Sequence, residues 1–280
     1  MSDTLRIDVD SRGVATITLN RPEQRNAVDE VMIAELHASL AALAQNTSVR
    51  VLVLQANGSA FCAGADYRWM QRGLEADQHD NFEEALRLAR MLQCLDRFPT
   101  PTIARVHGPA LGIGVGLIAC CDLIVGAHSS WFRLPEVRLG LVPAVIGPHV
   151  IAKIGTGAAR RYFLTAETMT AETAKQLGLV HEVAPDEHGL NAMVGHWVYG
   201  LLQNGPHAVT TAKRLIAAVA HRPIDDALIS DTAHRIAHLR AHPEARQGIR
   251  THLDDARPSW LETLDFANLV TDDPSETTKG

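Results

Sequence analysis

The sequence predicts an α/β fold, and three observations carry that reading. From Leu5 to Leu54 the chain reads strand, strand, helix, strand. Two later strands run into turns of small residues, and the second turn opens a helix. Beyond Val150 the apolar spacing becomes almost entirely helical.

Leu5–Val9 and Val14–Leu19 alternate apolar and polar residues around Ser11-Arg12-Gly13, the pattern of a β-hairpin that Arg21-Pro22 ends. Residues 29–44 place Ile33, Leu36, Leu40 and Leu43 on one helical face. Residues 51–54 form a buried-type strand, followed by the small-residue turn 58–66. Residues 80–98 are a second helix, with Phe82, Leu86, Ala89, Leu92 and Leu95 on one face. Asp80 is its expected N-cap and Glu83 lies in its first turn. Pro99 and Pro101 stop it. A β-rich run, 102–107, turns at Gly108-Pro109, and Gly112, Gly114 and Gly116 follow at every second position. An apolar segment, 117–121, leads through Asp122 to a second β-like run, 123–125. Short helices are expected at 157–166 and 171–177, a strand at 179–183, and longer helices at 190–203, 206–220, 225–241 and 244–253. The expected organisation is a core over 1–200, a helical region over 201–262 suited to packing on another subunit, and a loose polar tail over 263–280.

Composition narrows the function. The chain has 280 residues, 46% apolar and 21% charged, with net charge −6. That is the profile of a soluble globular protein, without the basic excess that nucleic acid or an anionic membrane surface demands. Cys62, Cys94, Cys120 and Cys121 show no C-x-x-C spacing, and the 14 histidines form no H-E-x-x-H. Neither a metal nor a disulfide framework is expected, and buried free thiols in a reducing, cytoplasmic setting are the default. The N-terminus lacks the apolar core of a signal peptide. Residues 108–127 are nearly charge-free and about long enough to span a bilayer, but their glycines, Pro109 and Asp122 argue for buried soluble structure.

The most informative stretch is 102–150. A strand, a glycine turn and a helix start let backbone approach a ligand closely. They also present unpaired N–H groups with partial positive charge. Such a place suits an anion, bound or forming in a transition state. Glu136, alone among Leu, Val and Pro, is a candidate acid or base, because desolvation raises a carboxyl pKa. Two plainer readings stand beside these: glycines that serve helix–strand packing, and a post-proline Glu that complements a helix dipole. The glycines do not follow G-x-G-x-x-G spacing, and no G-x-S-x-G occurs, which excludes a dinucleotide fingerprint and a nucleophile elbow.

Several pieces in order resemble the crotonase superfamily, also called the enoyl-CoA hydratase/isomerase family. They are Asn20-Arg21-Pro22 with Asn26-Ala27, then Ala60-Phe61-Cys62-Ala63-Gly64-Ala65-Asp66, and then Pro101-Thr102-Ile103-Ala104 with Gly108-Pro109-Ala110-Leu111-Gly112-Ile113-Gly114. Cys121-Asp122 and Pro135-Glu136-Val137-Arg138-Leu139-Gly140-Leu141-Val142-Pro143 complete the set. The resemblance covers residues 4 to about 260. It implies a spiral of repeated ββα units and a C-terminal helical region that forms a homotrimer or a dimer of trimers. It further implies an acyl-CoA thioester substrate, with coenzyme A arriving as part of that substrate and no separate cofactor. By motif position the thioester oxygen lies between the N–H groups of Ala63 and Ile113. Ala63, Gly64, Ala65 and Asp66 border the coenzyme, Gly112 and Gly116 line the substrate, and Glu136 is the catalytic carboxylate.

Two positions depart from the family pattern. Ile113 stands where glycine is usual, which is expected to narrow the hole and limit φ. Gly116 stands where hydratases of the two-glutamate type carry their first Glu. A closer likeness, through Tyr67-Arg68-Trp69-Met70, residues 115–122 and residues 159–167, is to the bacterial methylglutaconyl-CoA hydratase branch, whose acyl group carries a second carboxylate. Arg68 or Arg138 is a candidate partner for it. The leading expectation is a hydratase using Glu136, set against a Δ3,Δ2-enoyl-CoA isomerase using Glu136 alone and against a non-catalytic acyl-CoA-binding scaffold. His107 and His149 are expected to flank the site, Tyr162 to line the acyl pocket or the core, and Asp122 to be structural.

Overall fold

A computed structural model describes residues 4–262; the tail read from the sequence, 263–280, lies outside the described residues. The hairpin forms as expected. β1 (Leu5–Val9) pairs antiparallel with β2 (Val14–Leu19), Leu5 opposite Leu19. Its turn requires Gly13, at φ 83, because a Cβ there would sit 2.2 Å from the Ser48 carbonyl oxygen. α1 (Glu30–Gln45) starts at Asp29, whose carboxylate accepts the Met32 N–H at 2.9 Å, and buries Met32, Ile33, Leu36, Leu40 and Leu43. β3 (Val51–Ala56) follows.

Next comes α2 (Tyr67–Gly73), which periodicity does not reveal, since two turns are too short to repeat a pattern. α3 (Gln78–Asp96) begins earlier than expected. Asp77, not Asp80, is the cap: its carboxylate accepts the Asp80 N–H at 2.8 Å, so Asp80 belongs to the first turn. The chain continues through β4 (Thr102–Val106), β5 (Ala110–Leu111), α4 (Ile113–Ala119), β6 (Leu123–Ala127) and β7 (Trp131–Arg133) to a 3-10 turn, Glu136–Leu139. α5 (Gly147–Thr165) is interrupted at Gly155 (φ 70, ψ 164), and the expected helix over 157–166 is only the piece beyond that break. β8 (Met169–Thr170), α6 (Ala171–Gln176) and β9 (Glu182–Ala184) follow, then α7 (Glu187–Leu202), α8 (Pro206–Val219), α9 (Asp226–Ala241), α10 (Pro243–Leu253) and α11 (Ser259–Glu262).

The larger sheet has the order β1-β2-β3-β4-β6-β9, parallel from β2 onward. The smaller has the order β5-β7-β8, and an isolated bridge between Cys62 and Ala110 extends it. Three successive units thus repeat one plan. β3, the Cys62 bridge and α2 form the first, β4, β5 and α4 the second, and β6, β7 and α5 the third. This is the ββα spiral, with α/β architecture and a helical C-terminal region. The charge-poor stretch 108–127 is divided among β5, α4 and β6, and no helix among the described residues is long and apolar enough to cross a membrane. The described residues divide into two compact units that part between Val194 and Gly195. The core of the first includes Phe61, Phe98, Phe132, Met32 and Met91.

Asn26 ties the first loop to the second. It is fully buried at φ 56; its amide donates to the carbonyls of Asn57 (2.8 Å) and Ala60 (2.9 Å), and its oxygen accepts the Arg21 N–H at 2.8 Å. Asn26→Ala removes every side-chain partner from those backbone groups. It should lower unfolding stability by about 2–3 kcal/mol, read as a shift of the urea midpoint. An unchanged midpoint would show that water replaces the amide at no cost.

Candidate active site

Two backbone turns meet beside the start of α4. Leu111 donates to the Cys62 carbonyl at 2.9 Å, and the Phe61 and Cys62 N–H groups both reach Pro109 O, at 3.0 and 3.2 Å. Gly114 lets α4 lie on this seam, since a Cβ there would stand 2.8 Å from Cys62 O. Gly112, at φ 47 and ψ −112, turns the chain into the helix without a side-chain cap. Ile113 is the first helical residue, where an amide has no intrahelical acceptor. Among the described residues no backbone carbonyl accepts from the Ile113 N–H. Its side chain is buried in the core and its backbone is ordinary helix. An ordinary helical backbone at Ile113 carries no φ strain from the side chain.

Ala63 is placed differently. Its N–H donates to the carbonyl of Arg25 at 2.9 Å, so one of the two amides expected to hold the thioester oxygen is engaged within the protein. Arg25 itself is left-handed, at φ 50, next to Asn26. Gly64 (φ 95) sends its carbonyl to the Val28 N–H, and Ala65 bridges Val28. Asp66 caps α2, accepting the Arg68 N–H at 2.9 Å, and pairs with Arg21 at 3.1 Å. Arg21 also holds Asp29 at 2.8 Å and the Ala27 carbonyl at 2.9 Å. The turn at Ala63–Asp66 is thereby fastened to the loop at 21–29.

Glu136 is brought in by β7. Leu111 pairs with Arg133, and the Gly112 N–H donates to Arg133 O at 2.9 Å, which carries the following Pro135-Glu136 against the head of α4. Gly140, left-handed at φ 73, closes the 3-10 turn. A Cβ on Gly112 would lie 2.9 Å from Glu136 Oε1, so the carboxylate lies directly against this glycine and any side chain there would push it aside. Oε2 is buried and has no hydrogen-bond partner, and among the described residues no ion pair engages Glu136. Burial pushes the carboxyl pKa up, and a hydrogen bond from its own N–H opposes that rise in part. A half-buried, unpaired acid beside an amide-bearing helix start is equipped to exchange a proton with a ligand.

Gly116 faces a filled space. A Cβ there would come 2.3 Å from Ile146 Cγ2, and Ile146 is itself buried. The sequence offers no pointer to Ile146, which lies thirty residues away and reads as ordinary core. Nor does it reveal the role of the Arg25 carbonyl, a backbone group common to every residue type.

The remaining candidates separate. His107 Nε2 lies 2.8 Å from Gly58 O, while its Nδ1 is buried without a partner. His149 turns instead toward Asp96 (3.5 Å), beyond the far end of α4 from Ile113, which corrects its expected place beside the site. Tyr162 is core. Asp122 accepts the Thr102 N–H (2.8 Å) and hydroxyl (3.0 Å), a structural tie between β4 and β6. Arg138 donates to Ala166 O at 3.2 Å, and Arg68 is exposed.

The order of strands, the paired backbone turns and the lone acid beside α4 define a crotonase-type α/β protein. The enoyl-CoA hydratase/isomerase profile matches residues 10–263. The chain is 30% identical to the 2,3-dehydroadipyl-CoA hydratase of Escherichia coli over 249 residues, 88% of this chain and 94% of that protein. Among solved structures, an enoyl-CoA hydratase from Shewanella pealeana superposes at TM-score 0.88 with 37% identity, over 92% of this chain and 96% of that one. One from Mycobacterium smegmatis superposes at 0.87 with 33% identity, over 92% and 99%. The chain belongs to the enoyl-CoA hydratase/isomerase family, a family of enzymes.

Proposed function

We propose that this enzyme adds water across the α,β double bond of an acyl-CoA thioester, with Glu136 as its only acid–base group. The observation that carries the reading is Glu136 itself, with one oxygen against Gly112 at the head of α4 and the other buried and unpaired. In the proposed reaction the ionised carboxylate takes a proton from water as the hydroxyl adds to Cβ. The electrons move onto the thioester oxygen, and the same carboxyl then returns the proton to Cα. The Ile113 N–H supports the oxyanion. The Ala63 N–H joins it only by sharing or exchanging its bond to Arg25 O. Such a donor contributes about 3 kcal/mol to lowering a barrier of this kind.

The name of the Escherichia coli relative, a hydratase of a dicarboxylic acyl-CoA, supports a substrate carrying a second carboxylate, as in the methylglutaconyl type. Arg68, exposed at the start of α2, or Arg138, exposed in the 3-10 turn that carries Glu136, is the proposed partner for that charge. Coenzyme A enters with the substrate, and no other cofactor is proposed. Exposed Ile216, Ile229, Ile236 and Ile249 on the C-terminal helices support a homotrimer or dimer of trimers, and four free cysteines support a cytoplasmic setting.

Ile146 at Gly116 favours a second reading. An apolar group stands where a water-activating acid would be, and a Δ3,Δ2 isomerase needs only one carboxylate to carry a proton between Cα and Cγ. Crotonyl-, 3-methylglutaconyl- and 3-hexenoyl-CoA in heavy-oxygen water separate the two. Label in the product is the expected result. A moved double bond without label overturns hydration in favour of isomerisation.

A further inference from the structure

Away from this site, three side chains that the reaction does not use converge at the far end of α4. Asp96 is the last residue of α3, Cys120 the C-cap of α4, and His149 lies in the first turn of α5. Their ligand atoms all lie within 4.8 Å of one another, and His149 Nδ1 is 3.5 Å from Asp96 Oδ1. We propose that Asp96, Cys120 and His149 form a binding site for a divalent zinc-type cation, which pins α3, α4 and α5 together.

The chemistry of the set selects the ion. Thiolate, imidazole and carboxylate in one cluster suit Zn²⁺ or Co²⁺ and not Mg²⁺ or Ca²⁺, which take oxygen ligands. Tetrahedral bonds of about 2.0–2.3 Å require ligand atoms roughly 3.3–3.7 Å apart. The Asp96–His149 separation already meets this, and the longest separations in the group need to contract by only about 1 Å, within side-chain adjustment. The ends of α3 and α4 bring partial negative charge to the same place, where the start of α5 brings partial positive charge against it. Cys120 is buried, while the Asp96 and His149 side chains retain 46% and 20% exposure, so an ion has a wet side from which to enter and a fourth position for water. The opposing charge is Lys153, whose Nζ donates to Cys121 O at 2.9 Å. That ammonium is already held by a carbonyl, which leaves it as a weakening influence and not an occupant of the cluster. Seven helical residues, about 10 Å, separate Cys120 from Ile113, so the ion would brace α4 without touching the Glu136 site.

The test uses the full chain, stripped with chelator and titrated with Co²⁺. Saturation at one ion per chain is expected, with the visible bands of tetrahedral cobalt and a near-ultraviolet thiolate-to-cobalt transition. Cys120→Ser should abolish that transition, and Asp96→Asn and His149→Gln should each weaken binding about tenfold or more, whereas Cys94→Ser should leave the spectrum intact. Zn²⁺ should raise the melting temperature of the wild-type chain but not of Asp96→Asn. If Cys120→Ser does not fold, the two surface-accessible variants carry the test. Absence of saturable bands, a thiolate transition surviving Cys120→Ser, or affinity unchanged in both Asp96→Asn and His149→Gln would overturn the site.

Discussion

Glu136→Gln is expected to lower turnover by about 10²–10⁴-fold on whichever thioester the wild-type enzyme converts, while binding of that thioester stays measurable. The substitution keeps the shape that fits against Gly112 and removes only the ability to take up and release a proton. The pH dependence is a sharper check. The proposed hydration needs the ionised carboxylate, and burial holds the Glu136 pKa above the ordinary glutamate value. Activity should therefore fall on acidification through a pKa above that of a free glutamate, and this limb should be missing from the residual rate of the Gln variant. Stability gives an independent sign. Because the folded-state pKa is raised, the native protein favours the protonated acid, and it loses stability as pH climbs from the unfolded value through the folded one. Above both values the loss is complete and constant. The Gln variant should accordingly melt higher than wild type at neutral pH, with the difference vanishing below the unfolded pKa. Turnover unaffected by the substitution would remove Glu136 from the mechanism. Turnover lost together with a lower melting temperature at neutral pH would point to damaged folding.

The chain order made the local structure legible because each of the early elements satisfies its own rules. Gly13 takes the left-handed turn conformation that favours glycine, Asp29 caps the helix it precedes, and the first two strands pair as the hairpin their sequences suggest, although β1 is almost wholly exposed and β2 almost wholly buried where alternation would have put one face of each inside. Glu136 was legible for a related reason, since a single acid in an apolar run stands out against its neighbours. What escaped reading is set by tertiary approach. α2 is too short to show a period, and the cap of α3 proves to be Asp77, three residues before the Asp80 that the sequence suggests. The Arg25 carbonyl on the Ala63 N–H carries no side-chain trace at all. The same blindness hid Asp96, Cys120 and His149. They are 24 and 29 positions apart, so no spacing rule links them, and only the packing of α3, α4 and α5 brings them to one point.

Gly116 offers the second large effect, this time on stability. A methyl added there would stand 2.3 Å from Ile146 Cγ2 and 2.8 Å from Ile146 Cβ, far inside contact distance, and the obstacle is a branched side chain at its root and not a flexible tip. Gly116→Ala should therefore destabilise by about 1–3 kcal/mol despite the gain in helix propensity that alanine brings, which is only about 1 kcal/mol. Gly116→Glu should do worse, and it should not restore a two-carboxylate site, because Ile146 occupies the path the new side chain would need. Ile146→Ala alone leaves a cavity and should cost about 2–5 kcal/mol. Combined with Gly116→Ala, the two losses should be clearly less than additive, since each change relieves what the other creates. Urea midpoints of the four proteins close this cycle. Strict additivity would mean that Ile146 is not what excludes a side chain at this position. If the cycle does show coupling, Gly116→Glu with Ile146→Ala becomes the informative enzyme. A rise in labelled water incorporation over Ile146→Ala alone would mean that the space held by Ile146 is where a second acid assists hydration. A folded double variant with no such rise would mean that Glu136 sets the rate unaided.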